Sequence, residues 1–419
     1  MITPQAKMEY FFIMASDPEL IRRLSLPLLV FYGIGTILGA GIYVLVGKVA
    51  GEAGMFAPLA FMFAALLAAF SAFSYAELAA RFPRSAGEAV YVEEAFAIKN
   101  LSLVVGLMVV SVGIVSVATL AHGFVGYLSI YSDLSSSAII ILLVLSTGLI
   151  CAWGIGQSVT IAAVMTIAEI AGLLVIIYVG RDSFILIPER ISTMFSDFNI
   201  SVWAGIFSGS FIAFYAYLGF EDIVNVAEEA VNAEKNIPRA IIIALLVTTA
   251  FYILVSVVSI LSVTPATLAA SDAPLAMLYE NKTGQAPVLI SMISLISIVN
   301  GALIQVIMAS RVIYGMSQNK WLPEKLGKVS ELTHTPVNAT WLVTGFILVF
   351  ALLLPIVSLA KLTSFITLMI FILINFALVK IKYSAGSYDG FSVPLWLPWL
   401  GGISSLVFLL QQTYSIVFQ

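Results

Sequence analysis

The chain has 419 residues, of which 61% are hydrophobic and only 10% are charged, whereas soluble domains carry about 25% charged residues. Its formal net charge of −4 is small for this length, and no block of basic residues points to a nucleic-acid partner. These figures exclude a water-soluble or nucleic-acid-binding protein and predict an all-α polytopic membrane protein.

Apolar runs bounded by charged residues predict eleven transmembrane spans. Residues 1–24 precede them and are predicted to form a cytoplasmic amphipathic lead-in on the membrane surface rather than a cleaved signal peptide. A further interfacial segment is predicted at 80–100, and a tight turn is predicted at 153–157. The spans are placed at 25–47, 57–79, 101–128, 138–155, 158–180, 203–227, 239–263, 286–315, 338–358, 361–380 and 394–417.

The orientation follows from the distribution of Lys and Arg between the two sides. With the N-terminus in the cytoplasm, most of the 19 basic residues fall on the inner side. An odd number of spans then places the C-terminus outside. We expect a multi-pass protein of the plasma membrane in this orientation.

The first span contains several glycines in its middle, among them Gly35, Gly39 and Gly41. Glycine weakens a helix by about 1 kcal/mol relative to alanine, and an interruption within a membrane is tolerated only where it lines a protein cavity. Many transporters build a substrate site at such broken helices. The alternative is a continuous helix whose small residues allow close packing.

A second interruption is predicted five spans later, where 214–222 combines aromatic residues, Gly219 and two acids. Spans one and six would then be equivalent members of two five-helix halves, and because five is odd the second half is inverted. We therefore predict a first repeat over 25–180, a second over 203–382 and one extra helix over 394–419. Matched broken helices in inverted halves mark the binding site of a transporter.

Several motifs in this order resemble those of amino-acid permeases in the amino acid–polyamine–organocation superfamily, and most of all the cationic amino-acid transporter branch and its prokaryotic relatives. The resemblance covers about residues 25–400. Relatives commonly have twelve or more spans, so this chain departs from them after the eleventh. The motifs are GIGTILGAGIYVLVG (33–47), SYAEL (74–78), FPRSAGEAVY (82–91), GFE (219–221), AEE (227–229), NIPRA (236–240) and SRVIYGM (310–316).

At the first break, the amides of Ala40 and Gly41 would open the outer half-helix and bind a substrate carboxylate, with Gly39 giving the backbone room to turn. The resemblance implies that the carbonyl of Ile37 accepts from the substrate ammonium. At the second break, beside Gly219, it implies the same role for the carbonyls of two further residues, Tyr215 and Leu218.

The resemblance also implies that Tyr215 is a gating aromatic, the alternative being an aromatic packed in a helix bundle. Glu221 corresponds to a gating acid in some exchangers. It can equally be an acid favoured by the dipole of the half-helix that it begins.

Glu169 lies centrally in the fifth span, where a charge costs about 2.5–3.5 kcal/mol. Some similar permeases have a Lys at this position, so no family role transfers to it. We predict a proton-coupling carboxyl, and the alternative is a neutral Glu bonded to a neighbouring helix.

Together these features predict a secondary active transporter that takes up amino acids by alternating access, with neutral amino acids as substrates and protons as the coupling ion. Sodium or a counter-substrate could replace the proton. Cationic amino acids or polyamines, carried by a transporter or exchanger, are the alternative substrates, and a channel or an amino-acid sensor is the alternative of a different class. Besides membrane lipid, no further partner is expected. The sequence predicts no enzymatic activity, no cofactor and no metal site, since it lacks a zinc-ligand cluster and a P-loop.

Overall fold

A computed structural model describes residues 20–39, 41–128, 132–190, 200–271, 273–354, 356–384 and 388–418. The predicted lead-in therefore lies largely outside the described residues. Within them, regular structure is helical, apart from an isolated parallel bridge between Leu24 and Ala230. The all-α prediction is confirmed.

Fifteen α-helices are numbered here in chain order over the described residues. Their bounds are α1 Leu26–Leu38, α2 Gly41–Ala53, α3 Ala57–Arg81, α4 Gly87–Phe96, α5 Lys99–Leu128, α6 Ser136–Trp153, α7 Ile155–Val179, α8 Ile200–Ala216, α9 Ala233–Ser262, α10 Pro265–Ala270, α11 Pro274–Thr283, α12 Val288–Gln318, α13 Val337–Leu353, α14 Ile356–Ser384 and α15 Trp396–Phe418. Shorter 3₁₀ segments occupy Gly54–Phe56, Arg181–Leu186, Phe220–Glu229 and Glu324–Leu326.

Nine helical stretches of the described chain are long and apolar enough to cross a membrane. Two shorter apolar helices, Val337–Leu353 and Trp396–Gln411, lie at the predicted ninth and eleventh spans. The chain is thus a multi-pass membrane protein, and the number eleven stays a prediction, as do the boundaries of the two repeats.

The first and sixth spans are both discontinuous and lie at the centre of the helix bundle. The first half of span one, α1, packs against α7 and α9, and its second half, α2, packs against α8. Around this pair, α5 packs against both α12 and α14. The segments on either side of the two interruptions thus pack against each other.

One local prediction differs from the structure. The turn between the fourth and fifth spans is reduced to Gly154, because α7 already begins at Ile155. The segment at 80–100 contains α4, and the first half of this helix is buried within the protein, while its interfacial position stays a prediction. Its burial depends on contacts with distant parts of the chain, described below.

Candidate functional site

The first interruption separates α1 from α2. Gly39 ends α1 with φ +30°, a value that favours glycine, and its N–H still donates to the Gly35 carbonyl at 3.2 Å. The helix resumes at Gly41, so the amide of Gly41 lies at a helix N-terminus, where anions are stabilised. Ala40, predicted to share this role, lies outside the described residues.

The second interruption follows α8. The Tyr217 N–H donates to the Phe214 carbonyl at 3.0 Å, and the Leu218 N–H donates to the Tyr215 carbonyl at 3.3 Å. Gly219 then adopts φ +123°, and the 3₁₀ segment Phe220–Glu229 begins. The α-helix is therefore interrupted at the glycine that the sequence had marked.

The two interruptions lie against each other. A Cβ atom on Gly219 would fall 2.5 Å from Cγ2 of Thr36, and one on Gly41 would fall 3.3 Å from Cα of Ala216. Close packing of small residues and helix breakage are thus both present, although the sequence offered them as alternatives. At each glycine, the lack of a side chain allows the other interrupted span to come close.

Tyr252 of α9 joins the two interruptions. Its buried hydroxyl lies 2.6 Å from the Ile37 carbonyl and 2.8 Å from the Ala216 carbonyl. These carbonyls belong to the last turns of α1 and α8, where a carbonyl has no N–H donor within its own helix. One side chain therefore serves both broken ends, and the sequence analysis did not identify it.

A cavity of about 260 Å³ opens between the interruptions. This is just below the usual range of roughly 300–1,000 Å³ for small-molecule pockets, so it has room for a small solute. The residues predicted for the site that line it are Ile37, Gly39, Gly41, Tyr215, Leu218, Gly219 and Glu221. The structure thus brings together every described residue that was predicted to bind or gate.

Other lining residues come from three helices that the sequence did not connect with the site. They add hydroxyl and amide groups beside the backbone groups, the Tyr215 ring and the Glu221 carboxyl. Thr363 and Thr367 are four residues apart on α14, and Ser116 and Thr119 are three apart on α5, so each pair shares one helix face. The remaining members on these helices are Val112, Leu120, Gly301 and Gln305, and the two interrupted spans add Thr36 and Ala216.

Glu221 brings a carboxyl group to the cavity. Its Oε2 accepts the Gly219 N–H at 2.8 Å, which holds the side chain over the second interruption. Tyr215 is half-buried, and its ring meets Phe211 edge-on at 5.5 Å between centroids. Phe214, by contrast, is buried and stacks on Phe408 at 5.2 Å.

Glu169 is fully buried and does not line the cavity. Its Oε1 accepts from Nδ2 of Asn300 at 2.8 Å, and the same amide lies 2.9 Å from Oγ1 of Thr166. Thr166 in turn lies 3.2 Å from the carbonyl of Phe31 in α1. The carboxyl is therefore connected to α1 through two side chains, those of Asn300 and Thr166.

Beyond the cavity, the 3₁₀ segment carries a buried ion pair. Arg311 of α12 donates from Nε and Nη2 to the two carboxyl oxygens of Glu229, at 3.1 Å each, and both side chains are fully buried. The Glu229 carbonyl also accepts the Arg23 and Leu24 N–H groups at 2.9 Å. This end of the sixth span is thereby fixed to the chain preceding α1.

The buried start of α4 also docks on the 3₁₀ segment. The Gly87 N–H donates to Oδ1 of Asn225 at 3.0 Å, and the neighbouring Glu88 is 1% exposed. Burial raises the pKa of Glu88 to about 8, against a smaller lowering by its own backbone N–H and Asn225. Glu88 is therefore a carboxyl outside the spans that titrates near neutral pH.

In the part of the chain that the structure describes, no group of three His, Cys, Asp or Glu residues could hold a metal ion. The cavity instead presents backbone groups from two helix ends, several hydroxyls and one carboxyl. Such a set can bind a small molecule that has both an acidic and a basic group.

Comparison with known proteins gives one family match that covers nearly the whole chain. A sequence profile of the family described as "Amino acid permease" matches residues 24–417. Among curated proteins, the chain is 27% identical over 394 residues to cationic amino acid transporter 3, mitochondrial, of Arabidopsis thaliana, which covers 87% of this chain and 63% of that protein. It spans less than two thirds of that relative's length.

Two bacterial relatives are covered more completely. The chain is 27% identical over 391 residues to the branched-chain amino acid permease BcaP of Bacillus subtilis, covering 88% of this chain and 82% of the relative. It is 29% identical over 393 residues to the methylthioribose transporter of the same organism, covering 88% and 83%. The three names differ in the solute that they state.

Proposed function

The chain belongs to the amino acid permease family, and from this premise we propose that it is a secondary transporter that carries amino acids across a membrane by alternating access. The observation that carries the proposal is the small cavity between two touching helix interruptions. The amide of Gly41 opens a helix N-terminus suited to the substrate carboxylate. The carbonyls of Ile37 and Leu218 are suited to its ammonium group.

We propose a neutral amino acid of modest size as the substrate. The cavity of about 260 Å³ limits the side chain, and hydroxyl and aliphatic groups dominate its lining. The names of the relatives include both cationic and branched-chain amino acids.

Cationic amino acids or polyamines are the second candidate, favoured by the carboxyl of Glu221 in the cavity wall. A polyamine lacks a carboxylate and would leave the Gly41 amide without its partner. Competition of decarboxylated analogues for binding would distinguish a polyamine substrate from an amino acid.

The first experiment is a thermal-shift screen of the purified protein against the common amino acids at two pH values, followed by counterflow in proteoliposomes with the amino acid that binds. Saturable uptake that is accelerated by internal substrate is expected. Flux that neither saturates nor shows counterflow would instead indicate a channel, and binding without flux would indicate a sensor.

The placement of the site is tested at Gly41. A valine there would place Cβ 3.3 Å from Cα of Ala216 and fill the space beside the amide. We expect Gly41→Val to lose uptake while the purified protein stays folded. Normal uptake by this variant would refute the placement of the carboxylate.

We propose protons as the coupling ion and Glu169 as the coupling group. A deprotonated carboxyl only accepts hydrogen bonds, whereas a protonated one can also donate, so protonation changes the bond from Asn300 and, through Thr166, the contact with α1. The alternative is that Glu169 serves only to join α7 to α12.

Glu169→Gln is expected to abolish accumulation driven by a pH gradient and to spare exchange. The matched control is Glu52→Gln, the same substitution at an exposed acid of α2. An unchanged pH dependence in Glu169→Gln would overturn the coupling role, and retained counterflow would show that transport itself had survived.

We further propose that the protein acts in the plasma membrane, with α1 beginning on the cytoplasmic side and the eleventh span ending outside. The support is the inner bias of Lys and Arg. Labelling of single cysteines placed at Lys235 and Lys282, on opposite predicted sides, would test it in intact cells.

A further inference from the structure

An apolar groove of about 400 Å³ lies on the flank of the bundle, between α5, α13 and α14. Leu342, Phe346 and Phe350 contribute to it at intervals of four residues, which places them on one face of α13. Phe346 is 48% exposed, so the groove is open to the side. Ser111 also lines it, but its hydroxyl already donates to the Leu107 carbonyl at 2.7 Å. The groove therefore suits a hydrocarbon chain.

A polar pocket of about 430 Å³ lies in the loop after α12. Its lining includes Lys320, Lys325 and Lys328 together with Glu324, all of them exposed. Among the described residues, none of the three ammonium groups has a carboxylate within 4 Å. The pocket thus has a formal surplus of two positive charges without an internal partner.

The groove and the pocket share one segment of chain. Leu326 lines the groove and Lys325, the residue before it, lines the pocket, so their Cα atoms are about 3.8 Å apart. Nδ2 of Asn338, at the start of α13, donates to the Lys325 carbonyl at 2.8 Å and holds the loop against this helix. Trp341 is 40% exposed one turn further on, as is typical of a residue at the membrane–water interface.

We propose that the groove and pocket together bind one anionic glycerophospholipid, in the leaflet on the predicted cytoplasmic side. Its phosphate would lie on the three lysines, and one acyl chain would lie along α13. Basic pockets at the ends of membrane helices bind anionic headgroups. A zwitterionic lipid would gain less from the surplus charge, and a free phosphate would leave the groove unused.

Such a lipid would contact the helices that also form the central cavity. Ile114 of α5 lines the groove and Ser116 lines the cavity, while Ile366 and Thr367 do the same on α14. The bound acyl chain would therefore support α5 and α14 from the side opposite to the substrate.

The test is native mass spectrometry of the purified full chain with phosphatidylglycerol or phosphatidylcholine added in detergent. Phosphatidylglycerol is expected to give a saturable adduct with one lipid and to bind more tightly than phosphatidylcholine. Removing each lysine charge is expected to weaken its binding about fivefold. The triple variant Lys320→Gln, Lys325→Gln, Lys328→Gln should thus lose about a hundredfold in affinity.

Two further variants separate this site from general lipid contact. Lys235→Gln, at an exposed lysine near the start of α9, is the matched control and should bind phosphatidylglycerol like the unmodified chain. Ser111→Phe, at a partly exposed position, should fill the groove and weaken both lipids. Equal binding of the two lipids, an equal loss in Lys235→Gln, or complete displacement by glycerol 3-phosphate would overturn the proposal.

Discussion

The hydroxyl of Tyr252 offers the sharpest test of how the two helix interruptions are held. It lies within hydrogen-bonding distance of Ile37 and Ala216, whose carbonyls end α1 and α8. Tyr252→Phe removes this donor and keeps the buried ring in place. A tyrosine hydroxyl has one proton, so it donates to one carbonyl at a time, and the substitution removes one hydrogen bond from a pair of competing acceptors.

The expected loss follows from burial of the acceptors. Leaving a buried carbonyl without its donor costs about 1–3 kcal/mol, so the free energy of unfolding should fall by about that amount. The Ile37 carbonyl has a second lone pair that can accept from the substrate ammonium. In Tyr252→Phe the position of this carbonyl is less fixed. We expect substrate affinity to fall by about fivefold, equivalent to about 1 kcal/mol.

The assay combines thermal unfolding of the purified variant with titration of the amino acid that stabilises the unmodified chain most. Tyr43→Phe is the matched control, because its buried hydroxyl donates to the Glu169 carbonyl of α7 at 3.0 Å and not to a carbonyl at either interruption. The control should lose stability by a similar amount and keep its affinity. Unchanged stability and affinity in Tyr252→Phe, or an equal loss of affinity in the control, would refute the reasoning.

Three further substitutions test charges and backbone geometry. Because the pKa of Glu88 is raised from 4.5 to about 8, the folded chain holds one more proton than the unfolded chain between these values. The stability of the folded chain should therefore fall as pH rises through this window, by up to about 1.4 kcal/mol per pH unit. Glu88→Gln should remove that slope from thermal melts at pH 5–9. An unaltered slope would contradict the raised pKa of Glu88. Arg311→Met leaves Glu229 buried without its partner and should lower the free energy of unfolding by about 3–5 kcal/mol. The double variant with Glu229→Gln should restore most of this loss. A double variant as unstable as the single one would argue against the pairing. Gly219→Ala should abolish uptake, because φ is +123° and Cβ would meet Thr36 at 2.5 Å, and normal uptake would show that the interruption tolerates a side chain.

The positions of the interruptions could be predicted because glycine acts locally. Gly39 and Gly219 have positive φ in the structure, and the sequence marks both as helix-weakening residues inside apolar runs. Ile37, Tyr215 and Leu218 followed from the family resemblance, and they do reach the same cavity. What they bind there stays a prediction.

The remaining walls of the cavity could not be read from the sequence. An apolar span does not show which of its faces turns inward, since lipid and protein interior are both apolar. The spacing of Thr363 and Thr367 was an available signal, whereas a single tyrosine such as Tyr252 carries no periodic signal at all. The burial of Glu88 was also hidden, because it depends on Asn225, more than a hundred residues away.

The contacts of the two broken spans favour one arrangement for alternating access. Gly219 touches Thr36, and Tyr252 connects the ends of α1 and α8. At the end of the 3₁₀ segment, the Glu229 carbonyl accepts two N–H groups from the chain preceding α1. Separating the two spans would break all of these contacts together, whereas moving them jointly with α9 against α5 and α14 would break none of them. The cavity is therefore expected to open along the wall formed by those two helices, which is the wall that the proposed lipid supports from outside.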